Sequence, residues 1–127
     1  MANRLLLVEN EQSLLDLLDR YLTRSGYAVK LAPSAEYALD LLGVPDVSAP
    51  GIDLAIIDLN LSDGMTGVDL LGKLRQNGFG FPVLLYSGYP FAVETLAAGL
   101  QPNVWFLQKP FVPRVLSEMV TKILGPA

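Results

Sequence analysis

"IDLAIID", residues 52–58, decides the fold. Leu54 to Ile57 are apolar without interruption, whereas a strand with one wet face would alternate apolar with polar. Such a run calls for cover on both faces, as in a parallel sheet with helices above and below. The flanking chain supplies the helices. Upstream, the apolar run Arg4 to Glu9 is followed by "EQSLLDLLDRYLTRSG", where leucines and Tyr21 recur at helical spacing until Gly26. "YAVKLA" then reads as a strand, and "PSAEYALDLLG" as a helix with Pro33 and Ser34 at its start. Downstream, Val68 to Gln76 reads as a helix, "FPVLLYS" as a strand, Phe91 to Ala98 as a short helix, "NVWFLQ" as a strand and Val112 to Leu124 as the last helix. Five strands alternating with five helices predict a doubly wound α/β domain with a five-stranded parallel sheet and right-handed crossovers. An all-helical domain fails on the β-rich runs. "GVPDVSAPG", Gly43 to Gly51, reads as a connecting loop.

Composition bounds the function. A chain of 127 residues, 51% hydrophobic, suits one domain over residues 1–127 with a sizeable core. Its net charge of −4 gives no basic footprint, so direct nucleic-acid binding is not expected. Apolar runs are short and broken, which argues against a membrane span and leaves the cytoplasm as the default. The absence of cysteine excludes a disulfide framework, a thiol nucleophile and a thiolate metal site. Without histidine, the commonest general base is gone, and any phosphohistidine belongs to another molecule.

Open α/β sheets gather ligands at the carboxyl ends of their strands. The first strand ends in Glu9 and Asn10, the third in Asp58, the fourth in Ser87 and Gly88, and the fifth in Lys109 and Pro110. Singly, each has an ordinary explanation: Asp58 caps a turn, Ser87 caps a helix, Lys109 is a solvated charge. Together they converge acids, an amide, a hydroxyl and an ammonium on one rim. Hard oxygens suit Mg²⁺, an aspartate can attack phosphorus, and a lysine with a hydroxyl can hold phosphoryl oxygens.

These residues resemble the receiver domain of bacterial response regulators. The likeness rests on "LLLVENEQS", "DLAIIDLNLSDGMTG", "VLLYSG" and "FLQKPF", which fall in order at successive strand ends. It implies a flavodoxin-like (βα)5 fold with strand order 2-1-3-4-5. Asp58 would accept a phosphoryl group from a histidine kinase or phosphotransfer protein, with Ser87 and Lys109 gripping the phosphoryl oxygens. Mg²⁺ would be held by Glu9, Asn10, Asp58 and the backbone carbonyl of Asn60. Gly88 would leave the phosphoryl entrance open, Asn60 and Tyr89 would tune dephosphorylation, and the Lys109–Pro110 bond would be cis. Ser87 and Phe106 would form the switch that alters the face made by the fourth helix, fifth strand and fifth helix, also the face for a homodimer. The chemistry implied is the domain's own phosphorylation and dephosphorylation, with no turnover of other substrates.

Two departures qualify this. The family usually ends its first strand with two acids, whereas Asn10 replaces the second, removing one charge from the metal site and one like-charged neighbour from Asp58. Phe106 stands where a tyrosine is common and lacks the phenol's hydrogen bond. By strand alternation Trp105 faces the other way, and an apolar patch with Tyr89, Phe91 and Val93 is expected there. The alternative is a degenerate receiver that binds partners without phosphorylation. An FMN protein fits poorly, because "ENEQS" would repel phosphate, and an aspartate-nucleophile phosphatase would want an acid at Asn60. "FLQKPF" leans toward receivers of hybrid kinases, and the chain reads as a stand-alone regulator or part of a longer protein.

Overall fold

The computed structural model describes residues 3–43, 51–61 and 64–125. Strands β1 (Arg4–Val8), β2 (Ala28–Ala32), β3 (Leu54–Asp58), β4 (Val83–Ser87) and β5 (Val104–Gln108) pair in parallel in the order β2-β1-β3-β4-β5. Helices α1 (Gln12–Arg24), α2 (Ala35–Gly43), α3 (Gly67–Gln76) and α4 (Pro113–Leu124) cover both faces. The five-strand expectation and its order therefore hold. The interior of the loop proposed over Gly43 to Gly51 lies outside the described residues, as do positions 62 and 63.

Strand alternation divides the core in two. Leu6, Val8, Ala55, Ile57 and Leu85 pack with α2 and α3, whereas Leu5, Leu7, Ile56, Leu84 and Tyr86 pack with α1 and α4. β3 and β4 are buried at every residue, the condition that "LAIID" and "VLLYS" anticipate. Continuing the alternation by one step beyond β1 and β5 carries Glu9 and Lys109 to the α1 and α4 side, and Asp58 ends β3 on that side too. Three ionisable groups are thereby aimed at one corner.

Local chemistry fixes the helix ends. Ser34 Oγ accepts the Tyr37 N–H at 3.0 Å, making it the cap of α2. Thr66 and Asp69 exchange side-chain and backbone hydrogen bonds, both 3.1 Å, in a capping box that opens α3. Gly26, at φ +101°, turns the chain out of α1 in a conformation that favours glycine.

The expected helix over Phe91 to Ala98 is absent. Two 3₁₀ turns, Val93–Thr95 and Ala98–Leu100, replace it, leaving four α-helices among the described residues. Between them Leu96 is extended, at ψ 153°, and Ala97, at ψ 142°, is not helical either. The carbonyls of Glu94 and Leu96 are taken by Gln101 Nε2, at 3.1 and 2.8 Å, instead of by a continuing helix. The expected aromatic patch is also divided. Phe106 packs on the α3 side against Phe91, with ring centroids 5.6 Å apart, while Trp105 packs with the α1 and α4 cluster. Phe91 and Val93 thus lie across the sheet from Trp105, as alternation along β5 requires.

Candidate functional site

Asp58 and Glu9 are buried, at 3% and 1% exposure, at the carboxyl end of the sheet. Lys109 follows the last residue of β5, and its N–H donates to the Ser87 carbonyl at 2.8 Å. Its ammonium stands 3.5 Å from Asp58 Oδ2 and 3.7 Å from Glu9 Oε1, one cation facing two carboxylates. The Lys109–Pro110 peptide is cis, as expected.

Each carboxylate has further partners. Asp58 Oδ1 accepts the Asn60 N–H at 2.9 Å, and Glu9 Oε2 accepts the Glu11 N–H at 2.9 Å. Glu9 Oε1 accepts the Tyr86 hydroxyl hydrogen at 2.5 Å. Burial pushes the Glu9 carboxyl above its ordinary range, an effect that Asp58 reinforces and that Tyr86, the Glu11 N–H and Lys109 oppose. Burial and the Glu9 charge likewise push the Tyr86 phenol upward, so it remains a hydrogen donor.

Ser87, 3% exposed, is held in a separate knot. Its Oγ donates to Asn60 Oδ1 at 2.5 Å and accepts the Tyr89 N–H at 3.1 Å. Asn60 thereby touches both Asp58, through its backbone, and Ser87, through its side chain. A Cβ added at Gly88 would meet no atom within 4 Å, and Tyr89 is 71% exposed. Glu9, Asp58 and Lys109 are therefore brought together, with Ser87 and Asn60 linked beside them. Asn10 lies on the exposed rim, while Phe106 lies against Phe91 on the α3 side.

Tyr86 was not among the site residues expected from sequence. It pairs in register with Asp58, is fully buried, and bonds Glu9 across the sheet. Its signal was available: a tyrosine inside an otherwise aliphatic, fully buried strand needs a partner for its hydroxyl.

The donors facing this corner are oxygens, which suits a hard cation of the Mg²⁺ type, but only two are carboxylates. Among the described residues no group of three histidine, cysteine, aspartate or glutamate side chains could hold a metal ion. Asn10, next to Glu9 on the exposed rim, adds no charge. The residues fit Mg²⁺ as an oxygen site of low charge.

The fold and the acid–lysine corner at its carboxyl edge define a doubly wound α/β domain with its site at the strand ends. A match to the family described as response regulator receiver domain spans residues 5–121, and the chain belongs to that family. It is 40% identical over 111 residues to the two-component response regulator PhoP of Pseudomonas aeruginosa, covering 85% of this chain and 45% of that protein. It spans 24% of the response regulator protein FleR of Pseudomonas aeruginosa and 54% of the transcriptional regulatory protein FixJ of Rhizobium meliloti, so these relatives are considerably longer. Among solved structures, the receiver domain of the hybrid histidine kinase CckA is 32% identical, with TM-score 0.77 and 97% and 100% of the two chains covered. The response regulator TrrA of Thermotoga maritima, solved with Mg²⁺ and BeF, is 25% identical, with TM-score 0.76 and 96% and 99% covered. No helix among the described residues is long and apolar enough to cross a membrane.

Proposed function

We propose that the domain accepts a phosphoryl group on Asp58 from a phosphohistidine of a histidine kinase or phosphotransfer protein, in the cytoplasm. The observation that carries this reading is the buried Asp58 carboxylate 3.5 Å from the Lys109 ammonium, at the carboxyl end of a central strand. An Asp58 oxygen attacks phosphorus, the O–P bond forms as the donor's N–P bond breaks, and the imidazole leaves with the electron pair. Lys109 holds the phosphoryl oxygens and offsets their charge. Glu9, Asn10, Asp58 and the Asn60 carbonyl would hold Mg²⁺, which supplies charge neutralisation of the phosphoryl oxygens when bound.

The acyl phosphate then draws Ser87 away from Asn60, and Phe106 moves with it. The output face is β5, the two 3₁₀ turns before it and α4, and a homodimer through that face is part of the reading; sedimentation velocity with and without beryllofluoride tests it. A degenerate receiver that ignores phosphorylation is less well supported, because Asp58, Ser87 and Lys109 all stand at the site.

Intact mass after incubation with Mg²⁺ and phosphoramidate is the test. A gain of one phosphoryl group that vanishes in Asp58→Asn is the expected result, and no gain in the native chain or in Asn10→Asp overturns it.

A further inference from the structure

Tyr86 touches both charged partners of Asp58 at once. Its hydroxyl donates to Glu9 Oε1 at 2.5 Å, and its ring centroid lies 4.9 Å from Lys109 Nζ. Phe111 meets the same ring edge-on at 5.8 Å, so the phenol is fixed in place. Glu9 is engaged on both oxygens: Oε1 faces Tyr86 and, at 3.7 Å, Lys109, and Oε2 faces the Glu11 N–H at 2.9 Å. A carboxylate has about four lone-pair directions. Two of those of Glu9 are met by hydrogen bonds from within the protein, one on each oxygen, with the Lys109 ammonium 3.7 Å from Oε1 as well.

We propose that Tyr86 is a positioning residue that weakens the cation site by holding Glu9 on its hydroxyl. This rests on reading the corner as a Mg²⁺ site. A divalent cation that uses Glu9 must share or displace a donor already in place, and the carboxylate's negative charge is partly satisfied before the cation arrives. Asn10 acts in the same direction by removing a charge. Together they set the site for a cation bound weakly. The ring and the hydroxyl have separable roles: Tyr86→Phe keeps the aromatic face under Lys109 and against Phe111, and removes only the hydrogen bond to Glu9. A buried carboxylate that has lost one donor gains more from a cation.

The test is a titration with Mg²⁺ alone of the native chain, Tyr86→Phe and Asn10→Asp, by calorimetry and by the amide shift of Glu11. The half-saturating Mg²⁺ concentration is expected to fall at least threefold in Tyr86→Phe; an equal or higher value overturns the proposal. If none of the three proteins binds Mg²⁺, the cation-site reading itself fails and takes the proposal with it. If Asn10→Asp binds more tightly while Tyr86→Phe matches the native chain, the site stands and the role of Tyr86 falls. A measurement on the native chain is independent of any variant's folding. With tyrosine labelled at the ring carbon bearing the hydroxyl, the Tyr86 signal is expected to move with Mg²⁺ in step with the Glu11 amide, and a Tyr86 signal that stays still while Glu11 moves overturns the proposal.

Discussion

Ser87 Oγ gives its hydrogen to Asn60 Oδ1 at 2.5 Å, so its single proton is committed to a neighbouring loop. A phosphoryl oxygen on Asp58 would compete with that amide oxygen for the same proton. Asn60→Ala removes the competitor and shifts the balance toward the engaged hydroxyl. A neutral hydrogen bond contributes about 1 kcal/mol net, so the half-saturating beryllofluoride concentration should fall about fivefold. Amide shifts of Ser87 and Gly88 measure it, and Asn60→Ala curves that overlay the native ones would refute the latch.

Gly67 lies against the strand that carries Asp58. A Cβ there would stand 2.5 Å from the Asp58 carbonyl oxygen and 2.8 Å from Leu59 Cα, both backbone atoms with little room to yield. Gly67→Ala should lower stability by about 2–3 kcal/mol, the scale of overpacking a tight contact. Gly72 in the same helix has no atom within 4 Å of an added Cβ. Gly72→Ala should therefore stabilise by up to about 1 kcal/mol, through helix propensity. Urea unfolding of the two variants compares them directly; equal effects would contradict the geometry.

Lys109 is the cation common to Glu9 and Asp58, and is itself 29% exposed. Lys109→Met keeps an unbranched apolar stem but leaves two buried carboxylates without their ammonium. Stability should fall by about 3 kcal/mol at neutral pH, the lower end for breaking a buried pair, and phosphoryl gain from phosphoramidate should be lost. Adding Glu9→Gln to Lys109→Met should recover part of the stability and none of the phosphoryl gain. Chemical denaturation and intact mass separate the two effects.

The pattern of the fold was legible because apolar runs and helical periodicity agreed along most of the chain. "LAIID" and "VLLYS" announced buried strands, and the strand-end acids and lysine converge as alternation requires. The segment before β5 was misread because Phe91, Val93, Leu96 and Ala97 give a plausible helical stripe. The bonds from Gln101 that end it depend on a side chain five to seven residues away. Tyr86 was overlooked for a different reason: its partner Glu9 lies 77 residues earlier, and the pairing emerges only when the sheet order sets β4 two places from β1, with β3 between them. The aromatic patch failed because Phe91 and Val93 pack on the Phe106 side of the sheet, whereas Trp105 packs with the α1 and α4 cluster on the other.

Tyr89 is exposed beside Ser87 and its N–H already donates to that hydroxyl. It follows Gly88, where an added Cβ would meet no atom within 4 Å. Once phosphorylated, the domain should keep its label longer with Tyr89 than with Tyr89→Ala, by about threefold, if a barrier to water of about 0.7 kcal/mol is removed. Loss of the phosphoryl group followed by intact mass over time gives both rates. Identical decay would assign protection to other residues.

Glu9 gives a pH signature with a defined sign. Its carboxyl is raised above the ordinary value of 4.5, chiefly by burial, so the folded state holds this proton more tightly than the unfolded state. Between 4.5 and the raised folded value, the folded chain carries more protons at this site, and stability must fall as pH rises through that window. Above the window the penalty is complete and constant. Glu9→Gln removes the titration while keeping an oxygen for the Tyr86 hydroxyl. With chelator present to remove divalent cations, the stability of Glu9→Gln relative to the native chain should rise as pH increases across the window and then level off. Urea unfolding from pH 4 upward measures the difference, in which the titrations shared by both proteins cancel; a flat difference would show that burial does not hold the Glu9 proton.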